Sequence, residues 1–553
     1  MGLFTYYSDY ILVYKVKILL KGGLILKEQN LITSTLLLTA TSFLTRTIGM
    51  ISSVYLSQTL GAEGMGIYEL VMSIYMTAAI FSSAGLFVTV SRMVAEALGQ
   101  GNKSQASKVM RIAFTFGMIT SFLASSLLFT FAPILTQFFI HDTRSTTGLR
   151  FLSLSIPFMT CSSCFKGYFY ATKKTIFPAS ADIIEQIIKV VLLIFLVRIY
   201  APSGISACYS AIGIGLTIGE MVSWSYLLSL FIMERRRDKH THTTHITSHL
   251  ELLSNFFTIL LPLACISYLA YILLSVENVL IPTGLKKYSG NYSESMSLFG
   301  MIRGMVMPIL FFPSAFLTAF STTLIPEIAK ANVLNLKKRV TYTTSRVLQL
   351  TFILSILVVS ILINYGNELG FIIYKSSEIG PLLRTFSLIV PFIYVEIISD
   401  GILKGLNQQV SCLKYSMIDS IMRVSLIYFL LPIKGVHAFI GITMLSCIFT
   451  STLNFNKLLE TTHLKLKPIN WLFKPFVAAT FSSCYSRLII NRVLRYSFGL
   501  TTKVYLGITL TFIIYIPILF LIQTLSTEDL SWLKRQLKLL GIPPLFKPAL
   551  RQK

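Results

Sequence analysis

The residues whose chemistry most needs explaining are isolated charges inside apolar stretches. Arg46 lies in FLTRTIGMISSVYLSQ with no acid within four positions. A guanidinium at the bilayer centre costs at least ~2.5–3.5 kcal/mol and therefore faces a cavity or a partner. Its planar fork donates paired, charge-assisted hydrogen bonds, a geometry suited to a diphosphate. The alternative is a structural ion pair, and Glu277, the lone acid of SVENVLIPTG, is the obvious partner. Glu277 in turn either binds a coupling Na⁺ or H⁺ or simply neutralises Arg46. Arg303, in FGMIRGMVMPIL, falls near the end of its apolar run, where a long side chain can snorkel to the interface. These three are the candidate cavity residues.

Two further pairs, Glu185/Lys189 and Asp419/Arg423, place an acid four residues before a base, the favourable order on a helix. Self-pairing lowers the cost of charge in a membrane, so a structural role is expected, with coupling between lobes as the alternative. Cys161-Ser-Ser-Cys164 has redox spacing but sits in an apolar run without a thioredoxin-like context, which points to small-residue helix packing. His240, His242, His245 and His249 follow Arg235–Arg237 in a loop with no Cys and few acids, so no metal site is expected. There is no glycine-rich phosphate loop, nucleophile triad or zinc motif, which argues against an ATPase, a membrane hydrolase or any other enzyme, and no cofactor is expected.

The elements that must carry these charges are membrane spans. The chain of 553 residues is 54% hydrophobic and 13% charged, where a soluble domain has roughly a quarter charged. Stretches long enough to cross roughly 30 Å of hydrocarbon recur near 31–56, 66–90, 110–134, 149–171, 179–199, 205–232, 253–281, 298–324, 342–364, 382–405, 411–432, 436–457, 472–494 and 503–524. The expected class is an all-α integral membrane protein of about fourteen helices. A net charge of +25 would suggest nucleic acid in a soluble protein. Here alternate connections hold roughly 31 basic residues against roughly 12 in the others, which puts both termini in the cytoplasm and argues against a nucleic-acid partner. The expected organisation is a basic interfacial segment (1–30), a first lobe of spans 1–6 (31–233) and a basic cytoplasmic linker (234–251). A second lobe of spans 7–12 (252–458), spans 13–14 (459–525) and an amphipathic basic tail (526–553) follow. Leu530, Leu533, Leu537 and Leu540 give that tail the spacing of an interfacial helix.

The lobes are related by an internal repeat. IPFMTCSSCFKGYFYATKK (156–174) aligns without gaps to VPFIYVEIISDGILKGLNQ (390–408), pairing Pro157 with Pro391 and Gly167 with Gly401. At the same offset IIEQIIKVVLLIFL (183–196) aligns to MIDSIMRVSLIYFL (417–430), which lays Glu185/Lys189 on Asp419/Arg423. MVAEALG (93–99) and LIPEIAK (324–330) pair Glu96 with Glu327. Repeats separated by an even number of helices share one orientation, so a pseudo-twofold along the membrane normal is expected, with the substrate site between halves that rock to alternate its access.

FLTRTIGMISSVYLSQTLGAEGMGIYELVMSIYM (43–76), SRMVAEALGQGNKSQASKVMR (91–111), SVENVLIPTGLKK (275–287), FGMIRGMVMPILFFPSAF (299–316) and LIPEIAKA (324–331) resemble the stage V sporulation protein B group of polysaccharide exporters. That group lies in the multidrug/oligosaccharidyl-lipid/polysaccharide exporter superfamily. The resemblance implies two six-helix lobes around a central cavity in the bacterial cytoplasmic membrane. It also implies a monomer that flips undecaprenyl-diphosphate-linked sugars, such as lipid II for spore cortex peptidoglycan, among membrane lipids. Arg46 matches the first of two span-1 arginines of lipid II flippases; Ser53 stands where the second would be. Pro308 occupies the position of their span-8 cavity arginine, with Arg303 about one turn earlier, and Glu277 replaces the usual Asp of sporulation-type relatives. The rival expectations are a multidrug-type cation exporter of the same superfamily, which needs a cavity acid where span 1 offers Arg46, and a non-transporting scaffold for wall assembly.

Overall fold

The computed structural model describes residues 31–237, 249–493 and 499–526, and the regular structure among them is helical, without strands. Hydrocarbon offers the backbone no hydrogen bonds, so an apolar stretch that crosses it satisfies its own amides as a helix. Span 3 is Lys103–Leu135 closed by a π-turn, span 5 Ile176–Tyr200, span 6 Ile205–Arg237, span 7 His249–Ser289, span 9 Lys337–Tyr374 and span 14 Leu500–Leu521. Span 13 combines a π-turn at Ile469–Phe473 with Lys474–Val493.

Two helical runs each supply two spans. Leu31–Ser83 has 53 residues, which if straight would extend about 80 Å, well over twice the hydrocarbon thickness. Gly61 breaks it with φ 71°. Ser53 and Met65, on opposite sides of the break, both touch Gly304, so the chain folds back there into spans 1 and 2. Gln409–Thr462 does the same at Gly435, φ 54°, and Ser446 returns to hydrogen-bond Asp419. With these two runs divided, the described residues hold fourteen spans. Turns after odd spans lie on one membrane face, here the far face, and turns after even spans on the near face.

The repeat is written in the backbone as well as the sequence. Span 4 bends between Thr146–Ser153 and Ile156–Ala171, and span 10 bends between Ile379–Ser387 and Val390–Gly405. The second pieces of these two spans start and stop 234 positions apart. Left-handed residues recur at the same offset: Gly101 with Asn335, His141 with Lys375, and Lys173 with Asn407. Their order is conserved along the chain, and the two six-helix lobes run in the same direction through the membrane. Spans 13 and 14 pack on span 9, where Ser360 donates to Ser483 and Tyr515 donates to the Ile353 carbonyl.

Several expected boundaries change. Span 8 is not one helix over 298–324: Tyr292–Gly300, a π-turn at Met301–Val306 and Met307–Phe311 are followed, after a break at Phe312–Pro313, by Ser314–Val333. Helices enter the 234–251 linker from both sides, since span 6 runs to Arg237 and span 7 starts at His249. His240, His242 and His245 lie outside the described residues, as do the 1–30 segment and the leucine-patterned tail. Among the described residues no group of three His, Cys, Asp or Glu side chains is placed to hold a metal ion.

Candidate functional site

Span 5 lays Glu185 and Lys189 one turn apart on a half-buried face, and their side chains meet at 2.7 Å. The pair is not isolated. Lys189 also reaches Glu220 of span 6 at 2.7 Å, and Lys166 of span 4 lies 2.6 Å from Asp182 and 3.7 Å from Glu185. Gly219 makes this possible, because a Cβ there would collide with the Lys189 stem. The first lobe therefore holds three acids and two bases in one cluster. Glu220 is 7% exposed, while the Asp182 side chain is 41% exposed.

The equivalent pair of the second lobe finds its partners elsewhere. Arg423 lies 3.2 Å from Asp419 and 3.2 Å from Glu277 of span 7, without the alignment of hydrogen bonds. Arg303 of span 8 donates to the other Glu277 oxygen at 2.5 Å. Glu277 is 2% exposed, so two guanidinium groups share one deeply buried carboxylate. Arg303 sits in the π-turn, whose extra residue per turn changes the direction of the side chains it carries. It does not snorkel to the surface. Asp419 also accepts from Ser446, and Thr450 donates to Glu396 at 3.2 Å.

This second network reaches the seam between lobes. Ser275 and Asn278, flanking Glu277, hydrogen-bond Ser73 of span 2 at 3.1 Å each, and Thr77 meets Ser275 at 2.5 Å. One turn before Ser73, Glu69 lies within electrostatic reach of Arg303.

Arg46 does not pair with Glu277, whose carboxylate is engaged by Arg303 and Arg423. It is exposed and has no ion pair among the described residues. Ser53, seven residues on and therefore on nearly the same helix face, donates to the Gly304 carbonyl of span 8 at 3.1 Å. Gly49 faces Gln186 of span 5. Span 1 therefore lies between span 5 of the first lobe and span 8 of the second, with Arg46 one to two turns nearer the near face than these contacts. Spans 1 and 5 run the same way, so Arg46 stands at the depth of Asp182.

At the far face the gap is closed. Glu63, just past the Gly61 turn, binds Arg144 of the 3–4 loop at 3.0 Å and accepts from Ser293 of span 8 at 2.6 Å. Arg144 also binds Asp142 at 2.6 Å. The two acids, Asp142 first, hold the Arg144 guanidinium above its usual range. Tyr292 donates to the Ile140 carbonyl, and Tyr374 to that of Met305 at 2.9 Å. Below this clasp Gly66 and Gly300 bring spans 2 and 8 together so closely that a Cβ on either would strike the other backbone.

Glu69 and Glu220 are missing from the residues singled out by sequence. Both had the signal that marked Arg46 and Glu277, a single charge in an apolar run.

A sequence profile of the polysaccharide biosynthesis protein family matches residues 31–332, more than half of the chain. Stage V sporulation protein B of Bacillus subtilis (strain 168) is 22% identical over 475 residues, which cover 85% of this chain and 91% of that protein. Among solved structures, the lipid II flippase MurJ in an inward closed conformation has a TM-score of 0.63 at 15% identity over 86% of this chain and 97% of its own. An inward-facing multidrug resistance MATE family transporter of the MOP superfamily has a TM-score of 0.59 at 14% identity, over 76% and 94%. At these identities the two structures establish the fold.

Proposed function

Because the chain belongs to the polysaccharide biosynthesis protein family, we propose that it flips a polyprenyl-diphosphate-linked saccharide across the bacterial cytoplasmic membrane by alternating access. It is a multi-pass membrane protein of transporter fold and not an enzyme. The observation that supports the reading is Arg46, an exposed mid-span guanidinium without an ion pair among the described residues, on a span packed between the two lobes; in this reading it faces the gap between them. An anionic headgroup gains a bidentate partner there, while the lipid tail stays in the bilayer. Lys166, at the same depth as Arg46 and held at rest by Asp182, is the second cation offered to the diphosphate. The near face is the cytoplasmic one, because the basic connections collect on it.

Translocation in proteoliposomes tests this directly, with lipid II, a lipid-linked teichoic precursor and a cationic dye as substrates. The expected result is transfer of one diphosphate lipid and none of the dye. Dye export without lipid transfer favours the multidrug-type reading, and transfer of nothing by folded protein favours the scaffold. A cysteine at His245 should resist labelling from outside intact cells; ready labelling overturns the orientation.

A further inference from the structure

Away from the gap between lobes, spans 3, 4 and 6 enclose a groove of about 690 Å³ at the near face, a volume within the roughly 300–1,000 Å³ of small-molecule sites. Its floor is aromatic: Phe165 packs on Phe114 and Phe231 with ring centroids 6.0 and 5.2 Å apart. Its mouth carries Arg111, two turns into span 3, and Arg235 and Arg236, in the last turn of span 6. All three arginines are exposed, and none has an ion pair or hydrogen bond among the described residues. The acid that precedes them, Glu234, is turned away, since it binds Lys174 at 2.7 Å and accepts from Tyr168. Three guanidiniums without a partner among the described residues, above an apolar trough at the end of membrane-spanning helices, match a phosphate headgroup above an acyl chain.

We propose that this groove is a binding site for an anionic phospholipid of the surrounding leaflet, with the phosphate held by Arg111, Arg235 and Arg236 and one acyl chain against Phe114, Phe165 and Phe231. The site is separate from the transported substrate's path, so it stands whether or not the chain flips a polyprenyl lipid.

Native mass spectrometry of the detergent-solubilised full chain, titrated with phosphatidylglycerol or phosphatidylcholine, tests it. Phosphatidylglycerol should bind and phosphatidylcholine should not. Each arginine near a membrane surface contributes roughly fivefold, so Arg111→Gln alone should weaken phosphatidylglycerol about fivefold and the triple Arg→Gln variant about a hundredfold. The triple Arg→Lys variant should keep most of the binding. Lys337→Gln with Lys338→Gln, which removes near-face charge from the other lobe, should leave it unchanged. Equal binding of phosphatidylcholine, equal weakening by the Lys337/Lys338 variant, or an unaffected triple Arg→Gln variant would each overturn the site. So would displacement of phosphatidylglycerol by a polyprenyl diphosphate, which would make the groove a substrate site.

Discussion

Glu185/Lys189 and Asp419/Arg423 stand 234 positions apart, yet the two pairs draw their outside partners from different helices. In the first lobe Lys189 is clamped by two contacts of 2.7 Å, one to its own pair and one to Glu220 of span 6. In the second lobe Arg423 makes two looser contacts of 3.2 Å, and its outside partner Glu277 comes from span 7. Span 7 corresponds to span 1, and 231 positions before Glu277 the first half has Arg46. One half thus carries an acid where the other carries a base. The acid is absorbed into a network of Glu277, Asp419, Arg303 and Arg423; the base is left outside its lobe's cluster. Two related frames produce one closed charge network and one detached cation, and in the proposed function the detached cation does the work.

That contrast can be broken most severely at Glu277. Glu277→Gln takes the buried carboxylate from Arg303 and leaves Arg423 with Asp419 alone, and losing one side of a buried pair costs about 3–5 kcal/mol. Thermal unfolding in detergent should show a large fall, and an unchanged midpoint would mean that the second network is not what holds spans 7, 8 and 11. Arg46→Ala should do the reverse: with two charge-assisted bonds worth roughly 1.5–3 kcal/mol each, translocation should drop at least about a hundredfold while protein level stays normal. Arg46→Lys should recover part, because an ammonium keeps the charge and loses the fork. Normal flipping by well-expressed Arg46→Ala protein would remove the basis of the anionic-headgroup reading.

Smaller effects sharpen the contrast. Glu220→Gln removes the surplus acid of the first-lobe cluster and leaves two acids against two bases, so its cost should be about 1 kcal/mol, the scale of one hydrogen bond. A loss as large as that of Glu277→Gln would show that the charge count does not govern the first lobe. Glu63→Gln weakens only the exposed clasp to Arg144 and Ser293. Exposed pairs are worth about 0–1 kcal/mol, so spin-label distances across the far face should report a shift in the populations of open and closed forms of a few-fold, with unfolding unchanged. A rigidly closed far face in that variant would assign closure to the Gly66–Gly300 contact alone.

The spans, the repeat and the two i,i+4 pairs were legible because they depend on local hydropathy and on spacing along one helix. Which charge meets which across helices was not. Arg46 and Glu277 read as natural partners because each is alone in its span, but pairing depends on how spans 7, 8 and 11 are rotated, and the π-turn at Met301–Val306 re-aims Arg303. Neither is encoded in a local pattern. The break of span 8 was half-visible in Phe312–Pro313, since proline has no N–H to continue the helical hydrogen-bond ladder. Glu69 sits inside GMGIYELVMSIYM, a stretch that attracted notice for its resemblance rather than its charge.

The left-handed residues set one more property of the molecule. Gly101 and His141 bracket span 3, Asn335 and Lys375 bracket span 9, and each bracket is 40 positions long although the residue types differ. These stops act as rulers: they end spans 3 and 9 at matched lengths despite their different side chains. Mismatch between helix and bilayer costs fractions of a kcal/mol per Å, and it would bias any exchange in which one lobe were taller than the other. With these lengths matched the lobes can trade places against the lipid without thinning or thickening it. In the proposed function the membrane is then indifferent to which way the gap opens, and the direction is left to the charges inside.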